Sequence, residues 1–126
     1  MSFKSGMHLN IKGVPKCNPI RFTIDVGHTK EEIGLHFDFR FNYLGEERTI
    51  VLNSMEGGIW KEEQREKHFP FEAGQEFEMT ISFTSDKFSI KLHDGKVIHF
   101  PNRLHDDHYK YLSLVGDVMV HKIIAK

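Results

Sequence analysis

In LHFDFRF (35–41), His36, Asp38 and Arg40 alternate with Leu35, Phe37, Phe39 and Phe41. If the four apolar side chains point inward, the three polar ones share the opposite face. They set an imidazole, a carboxylate and a guanidinium in a row about 13–14 Å long at the rise of a strand. Asn53 sits with Val51 on one face of IVLNS, and Glu63 shares a face with Arg65 in the segment after Trp60, the only tryptophan. Were these three segments neighbours, the polar groups would converge, and Arg40, Glu63 and Arg65 could join in a forked ion network. Such a surface suits a sugar. Its hydroxyls, each donor and acceptor, need rigid partners such as Arg, Asn, Glu and His. Its C–H face needs a flat aromatic. A polar row opposite a tryptophan favours galactose, whose axial 4-hydroxyl projects away from the apolar face.

Other chemistries compete for the same residues. Charged side chains on the outer face of a strand are commonly only solvated, and a tryptophan beside Gly57-Gly58 can be partly buried structure. Asp38 and Glu63 could be read as a carboxylate pair of the glycosidase type. Both have basic neighbours, however, which keep a carboxylate ionised, whereas a general acid needs a raised pKa. The run His105-Asp106-Asp107-His108 contains metal-ligand types, but with nine histidines in the chain some such cluster is expected by chance. Cys17 lies between Lys16 and Asn18-Pro19 with no histidine nearby in sequence, so it reads as an inert thiol. No catalytic residue, metal or cofactor is expected.

The elements that must position these residues have a period of two. Ile20, Phe22, Ile24 and Val26 share a face in IRFTIDV, as do Phe77, Met79, Ile81 and Phe83 in FEMTISF, and Phe88, Ile90 and Leu92 in FSIKL. Half-buried alternation of this kind belongs to antiparallel sheets. Asp94-Gly95 predicts a tight hairpin, and Gly-Val-Pro at 13–15, Asn18-Pro19, Gly57-Gly58 and Ala73-Gly74 predict other loops. The segment 60–68, WKEEQREKH, has good helix formers. Lacking an apolar stripe after Trp60, it would bury nothing as a helix, so a strand is expected. Short strands at regular spacing predict an all-β sandwich.

The 126 residues fit one domain, 1–126, and the formal net charge of −1 gives no footprint for nucleic acid or an anionic membrane. No stretch approaches a membrane span, and MSFKSGMHLNIKG has no signal-peptide h-region. One cysteine allows no internal disulfide, which points to a reducing, cytosolic compartment.

The spacing His36-x-Asp38-x-Arg40, Val51-x-Asn53 and Trp60-x-x-Glu63-x-Arg65 resembles the galectin signature H-x-N-P-R…V-x-N…W-x-x-E-x-R. GLHF, TIVLNS, FPF, SDKFSIKL, FPNRL and YLSLVGDV are similar to galectin segments in the same order. The resemblance implies a jelly-roll-like sandwich of two antiparallel sheets, with a β-galactoside in a groove on one of them and no metal. It implies that His36 and Arg40 hold the galactose 4-hydroxyl, with Arg40 also reaching the ring oxygen. Asn53 would hold the 6-hydroxyl and Trp60 would stack on the ring. Glu63 would bridge to the next sugar and orient Arg40 and Arg65. Asp38-Phe39 stands where the family has Asn-Pro. Asp38 is expected to keep an acceptor for the 4-hydroxyl while losing the amide donor, and Phe39, facing the core, to alter packing only. Lys61 stands where the family usually has Gly. The few residues ahead of SGMHLNIKG lead to the expectation of a weak or rearranged homodimer. The chain is similar to single-domain vertebrate galectins, of fish type, and the resemblance implies release from cells without a signal peptide. Two other classes stay open: a galectin fold serving as an interaction protein, its sugar site impaired by Asp38, and a glycan-processing enzyme.

Overall fold

The computed structural model describes residues 2–126, and no helix forms among them. The strands are β1 (Phe3–Lys4), β2 (Leu9–Pro15), β3 (Arg21–Thr29), β4 (Glu32–Tyr43), β5 (Glu46–Glu56), β6 (Ile59–Trp60) and β7 (Gln64–Glu66), followed by β8 (Phe77–Phe83), β9 (Lys87–Lys91), β10 (Val97–Pro101), β11 (His108–Tyr109), β12 (Tyr111–Gly116) and β13 (Val118–Ala125). One sheet has the order β10-β9-β8-β2-β13. The other runs β12-β3-β4-β5-β6, with β7 also on β5, and β1 and β11 form a short pair. All pairings are antiparallel.

The period of two drives this arrangement, because each long strand buries alternate side chains between the sheets. Phe22, Ile24 and Val26 of β3, Leu35, Phe37 and Phe39 of β4, and Phe77, Met79 and Ile81 of β8 are almost fully buried. Phenylalanines knit the two layers together. Phe39 stacks on Phe22 and on Phe37 with ring centroids 4.4 Å apart in each case. Phe22 in turn stacks on Phe77 across the core at 5.5 Å, and Phe71 meets Phe39 edge-on at 4.9 Å. Pairs of this kind contribute roughly 0.5–1.5 kcal/mol each beyond their area. Phe39 thus anchors the strand that carries His36, Asp38 and Arg40.

Three details depart from the sequence-based expectation. Ile20 lies outside the apolar face, 54% exposed, because β3 begins at Arg21 and Asp117 Oδ2 accepts from the Ile20 N–H at 2.8 Å. Gly-Val-Pro at 13–15 closes β2 instead of forming a loop; there Gly13 lets β13 approach, since a Cβ would lie 2.9 Å from the Met119 carbonyl oxygen. Segment 60–68 is neither a helix nor one strand. Gly57-Gly58, both at positive φ (59° and 78°), make a two-residue hairpin loop that returns Ile59 and Trp60 onto Glu56 and Met55. Pairing resumes only at Gln64 with Leu52. Asn53 and Ser54 therefore face Lys61, Glu62 and Glu63, one residue more, which is a bulge.

A second irregularity, where Gly27 pairs with Ile33, sets the β3–β4 register. A Cβ on Gly27 would lie 2.7 Å from the Ile33 Cα, so only glycine fits that bend without displacing backbone. Beyond it, Asp25 stands opposite His36, Thr23 opposite Asp38 and Arg21 opposite Arg40.

Candidate functional site

A cleft of about 410 Å³ lies on the outer face of the six-stranded sheet, lined by His36, Asp38, Arg40, Asn53, Trp60 and Glu63 together with Arg21, Tyr43, Leu44, Val51 and Lys61. Every site residue proposed from the sequence lines it except Arg65, which stands beside it. Register explains the convergence. His36 faces Asn53 and Asp38 faces Val51 across β4–β5, while Val51 faces Arg65 and Met55 faces Trp60 on the far side.

His36 Nδ1 and Asp25 Oδ1 share a hydrogen bond of 2.5 Å, and the imidazole packs against Trp60 with centroids 4.5 Å apart. The Asp25 contact holds the ring through Nδ1 and leaves Nε2 for a ligand. Trp60, in the two-residue strand after the glycine turn, is 47% exposed. A large apolar ring left that open is available for stacking.

Asp38 is the most enclosed charged group in the cleft, its side chain 1% exposed. Arg21 donates to it through Nε to Oδ1 and Nη2 to Oδ2, both at 3.1 Å, and Arg40 donates from Nε to Oδ2 at 3.0 Å. The outward charged row is thus no merely solvated face. Both carboxylate oxygens are engaged, so Asp38 holds two guanidinium groups in place. Arg40, 11% exposed at its side chain, keeps its terminal nitrogens free of hydrogen bonds among the described residues, with Nη1 3.9 Å from Glu46 Oε1. The Tyr43 ring lies under both guanidinium groups, 4.3 Å from that of Arg21 and 5.3 Å from that of Arg40.

The ion network at the other end differs from the expected trio of Arg40, Glu63 and Arg65. Arg65 joins Glu63 at 2.8 Å and Glu46 at 2.7 Å, and Glu46, not Glu63, is the acid nearest Arg40 outside the Asp38 pair. Its hydrogen bond with Arg65 keeps Glu46 below the usual carboxylate range. The bulge at 61–63 brings Trp60 to the same face as Glu63, and both line the cleft. Asn53 fastens that bulge, because its Nδ2 donates to the Lys61 carbonyl at 3.1 Å while its Oδ1 accepts from the Ser54 N–H at 2.7 Å. Asn53 is 4% exposed, a floor residue more than a projecting one.

The HDDH run disperses. His105 turns to the Ser85 carbonyl, Asp106 to His28, and Asp107 to His108. Among the described residues no three metal-ligand side chains gather. Cys17 is exposed and free.

A buried polar floor, forked donors and a half-exposed tryptophan on one sheet compose a hydroxyl-reading surface. Residues 1–125 match the family model described as galactoside-binding lectin. The chain belongs to the galectin family. It is 49% identical to galactose-binding lectin l-1 of Anguilla japonica over 95% of this chain and 84% of that one. It is 41% identical to the beta-galactoside-binding lectin of Electrophorus electricus, over 100% of this chain and 93% of that one. Among solved structures, lactose- and MES-liganded congerin II superposes with a TM-score of 0.97 at 37% identity, covering 100% of this chain and 95% of that one. Those galectin structures share the all-β sandwich described above.

The residues that sequence reasoning missed, Asp25, Arg21, Tyr43 and Glu46, act through strand register. Their type alone gave no signal. An arginine opposite Arg40 becomes visible only when β3 is laid beside β4.

Proposed function

We propose that the chain is a β-galactoside-binding lectin that works by hydrogen bonding and stacking, without metal and without turnover. The observation that carries the reading is the position of Arg40, locked by Asp38 with its terminal nitrogens free, in one cleft with Trp60. In this reading Trp60 takes the C–H face of galactose. His36, through Nε2, and Arg40 take the 4-hydroxyl, with Arg40 also at the ring oxygen. Glu63, backed by Arg65, takes the next sugar. Asn53 meets the 6-hydroxyl while fastening the bulge. Asp38 serves as a positioning residue for Arg40 in place of the acceptor role that its type suggests.

Lactose titration is expected to shift the fluorescence of Trp60, the only indole. The shift should persist in EDTA, because the proposed partners are Arg, His, Asn and Glu, and a chromogenic galactoside should release no product above the buffer blank. Silence up to high millimolar lactose, with no retention on a lactose column, would favour the interaction-protein reading. Loss of binding in EDTA restored by calcium or zinc would refute metal independence.

Self-association is a second element of the proposal. The edge strands β12 and β13 expose Val115 (62%), Met119 (58%), Ile123 (41%) and Ile124 (38%) beside unpaired backbone. Apolar edges of this kind favour symmetric pairing. A weak homodimer predicts sedimentation coefficients that move from monomer to dimer across a micromolar concentration series. A dimer intact at nanomolar concentration would contradict weakness, and a monomer at every concentration would contradict pairing. For location we propose the cytosol, with signal-peptide-independent release, a reading supported by the free thiol of Cys17.

A further inference from the structure

Leu44 lines the cleft from the turn that joins β4 to β5. Tyr43 pairs with Glu46, so Leu44-Gly45 is a two-residue hairpin loop, with φ of 51° and 77°. Loop positions of that kind are taken by Asn, Asp or Gly, which tolerate the left-handed region. Leucine does not, and holding it there costs backbone strain.

Among the described residues, Asn18, Arg48 and His105 are the other non-glycine residues at positive φ, and each has a local reason. Asparagine and histidine are types enriched there. Arg48 is anchored by donating to the Phe71 and Phe69 carbonyls. Leu44 has no such anchor: it lies outside the core cluster and is 73% exposed. A single exposed leucine is ordinary on a protein surface. This one is strained, gains no burial and borders a ligand cleft, a combination that points to function.

We infer that Leu44 is a specificity residue that packs against an apolar aglycone, so that galactosides carrying an alkyl group on the reducing sugar are preferred to those without one. The inference rests on the galactoside reading above, which puts the second sugar at Glu63. The wall of the cleft leads from there to the turn. Glu63 joins Arg65, Arg65 joins Glu46, and Glu46 stands opposite Tyr43 beside the loop. The second sugar of a β1→4-linked disaccharide meets galactose through its C4, and its anomeric carbon lies across the ring from C4. A group on that carbon therefore leads away from Trp60, past Arg65 and Glu46, to Leu44. Covering the leucine there recovers the apolar burial that the fold alone denies it.

Calorimetry with methyl β-lactoside and hexyl β-lactoside tests this. The hexyl compound should bind wild type about fivefold more tightly, the gain of burying several methylenes against one side chain. The ratio of the two affinities, taken within each variant so that any general loss cancels, should fall to about one in Leu44→Asn. Leu44→Met, which keeps apolar bulk, should retain it. Because asparagine suits the turn, Leu44→Asn should also melt about 2–4 °C higher than wild type. Equal affinities in the wild type, or a preference that survives Leu44→Asn, would overturn the inference while leaving galactoside binding intact. A preference lost together with a lower melting temperature would make Leu44 a structural residue of the turn, and would also overturn it. Failure of both lactosides to bind the wild type would instead overturn the galactoside reading, and the inference with it.

Discussion

Arg40→Lys is expected to reduce lactose affinity by at least a hundredfold while leaving the fold in place. Arginine performs two tasks here with one planar group: Nε binds Asp38 Oδ2 at 3.0 Å, and the terminal nitrogens remain for the sugar. Lysine has one ammonium on a flexible stem and cannot hold both partners in a fixed fork. Each hydrogen bond to a charged group is worth about 1.5–3 kcal/mol, so loss of two to the sugar exceeds the roughly 2.7 kcal/mol that a hundredfold represents. The positive charge beside Asp38 survives, so the stability cost should stay near that of one hydrogen bond, about 1 kcal/mol. Lactose calorimetry beside thermal unfolding separates the two quantities. An Arg40→Lys protein that binds lactose within tenfold of wild type would remove Arg40 from the centre of the site.

Both the architecture and most of the lining of the candidate cleft were legible from residue order, for one physical reason. Alternation in a half-buried strand determines which side chains leave the core together, and this put His36, Asp38 and Arg40 on one face before any pairing was known. The resemblance to the galectin signature then linked them to Asn53, Trp60, Glu63 and Arg65. Cross-strand partnership stayed hidden, because antiparallel register depends on turns and bulges distributed along the chain. The bend at Gly27 places Arg21 beside Arg40, and the extra residue at 61–63 brings Trp60 onto the face that Glu63 shares with Arg65. Neither follows from local residue type. The same gap explains why Asp38 reads as a sugar acceptor in sequence. A carboxylate on an outer face looks solvent-facing until two arginines from adjacent strand positions are found to enclose it.

That enclosure makes Asp38 the cleft residue whose removal should damage the protein most. In Asp38→Ala, Arg21 and Arg40 lose their shared counter-charge where their side chains are only 32% and 11% exposed. Breaking a buried pair by deleting one partner costs roughly 3–5 kcal/mol. Partial exposure of Arg21, and Glu46 at 3.9 Å from Arg40, place the expected loss near the lower figure, about 3 kcal/mol. Lactose binding should fall with it, because Arg40 is no longer aimed. Asp38→Asn separates charge from shape. Its single carbonyl oxygen can still accept from Arg40 Nε, while its NH₂ meets the second guanidinium donor to donor. Stability should therefore fall by about 1–2 kcal/mol, with lactose affinity changed by less than about tenfold. Denaturant unfolding and lactose titration of wild type, Asp38→Asn and Asp38→Ala form a graded series. Equal stability across all three would show that the Arg21–Asp38–Arg40 bridge holds nothing. If the wild type binds no lactose and Asp38→Asn binds it well, the carboxylate has drawn Arg40 off the sugar, and the fold serves as an interaction protein.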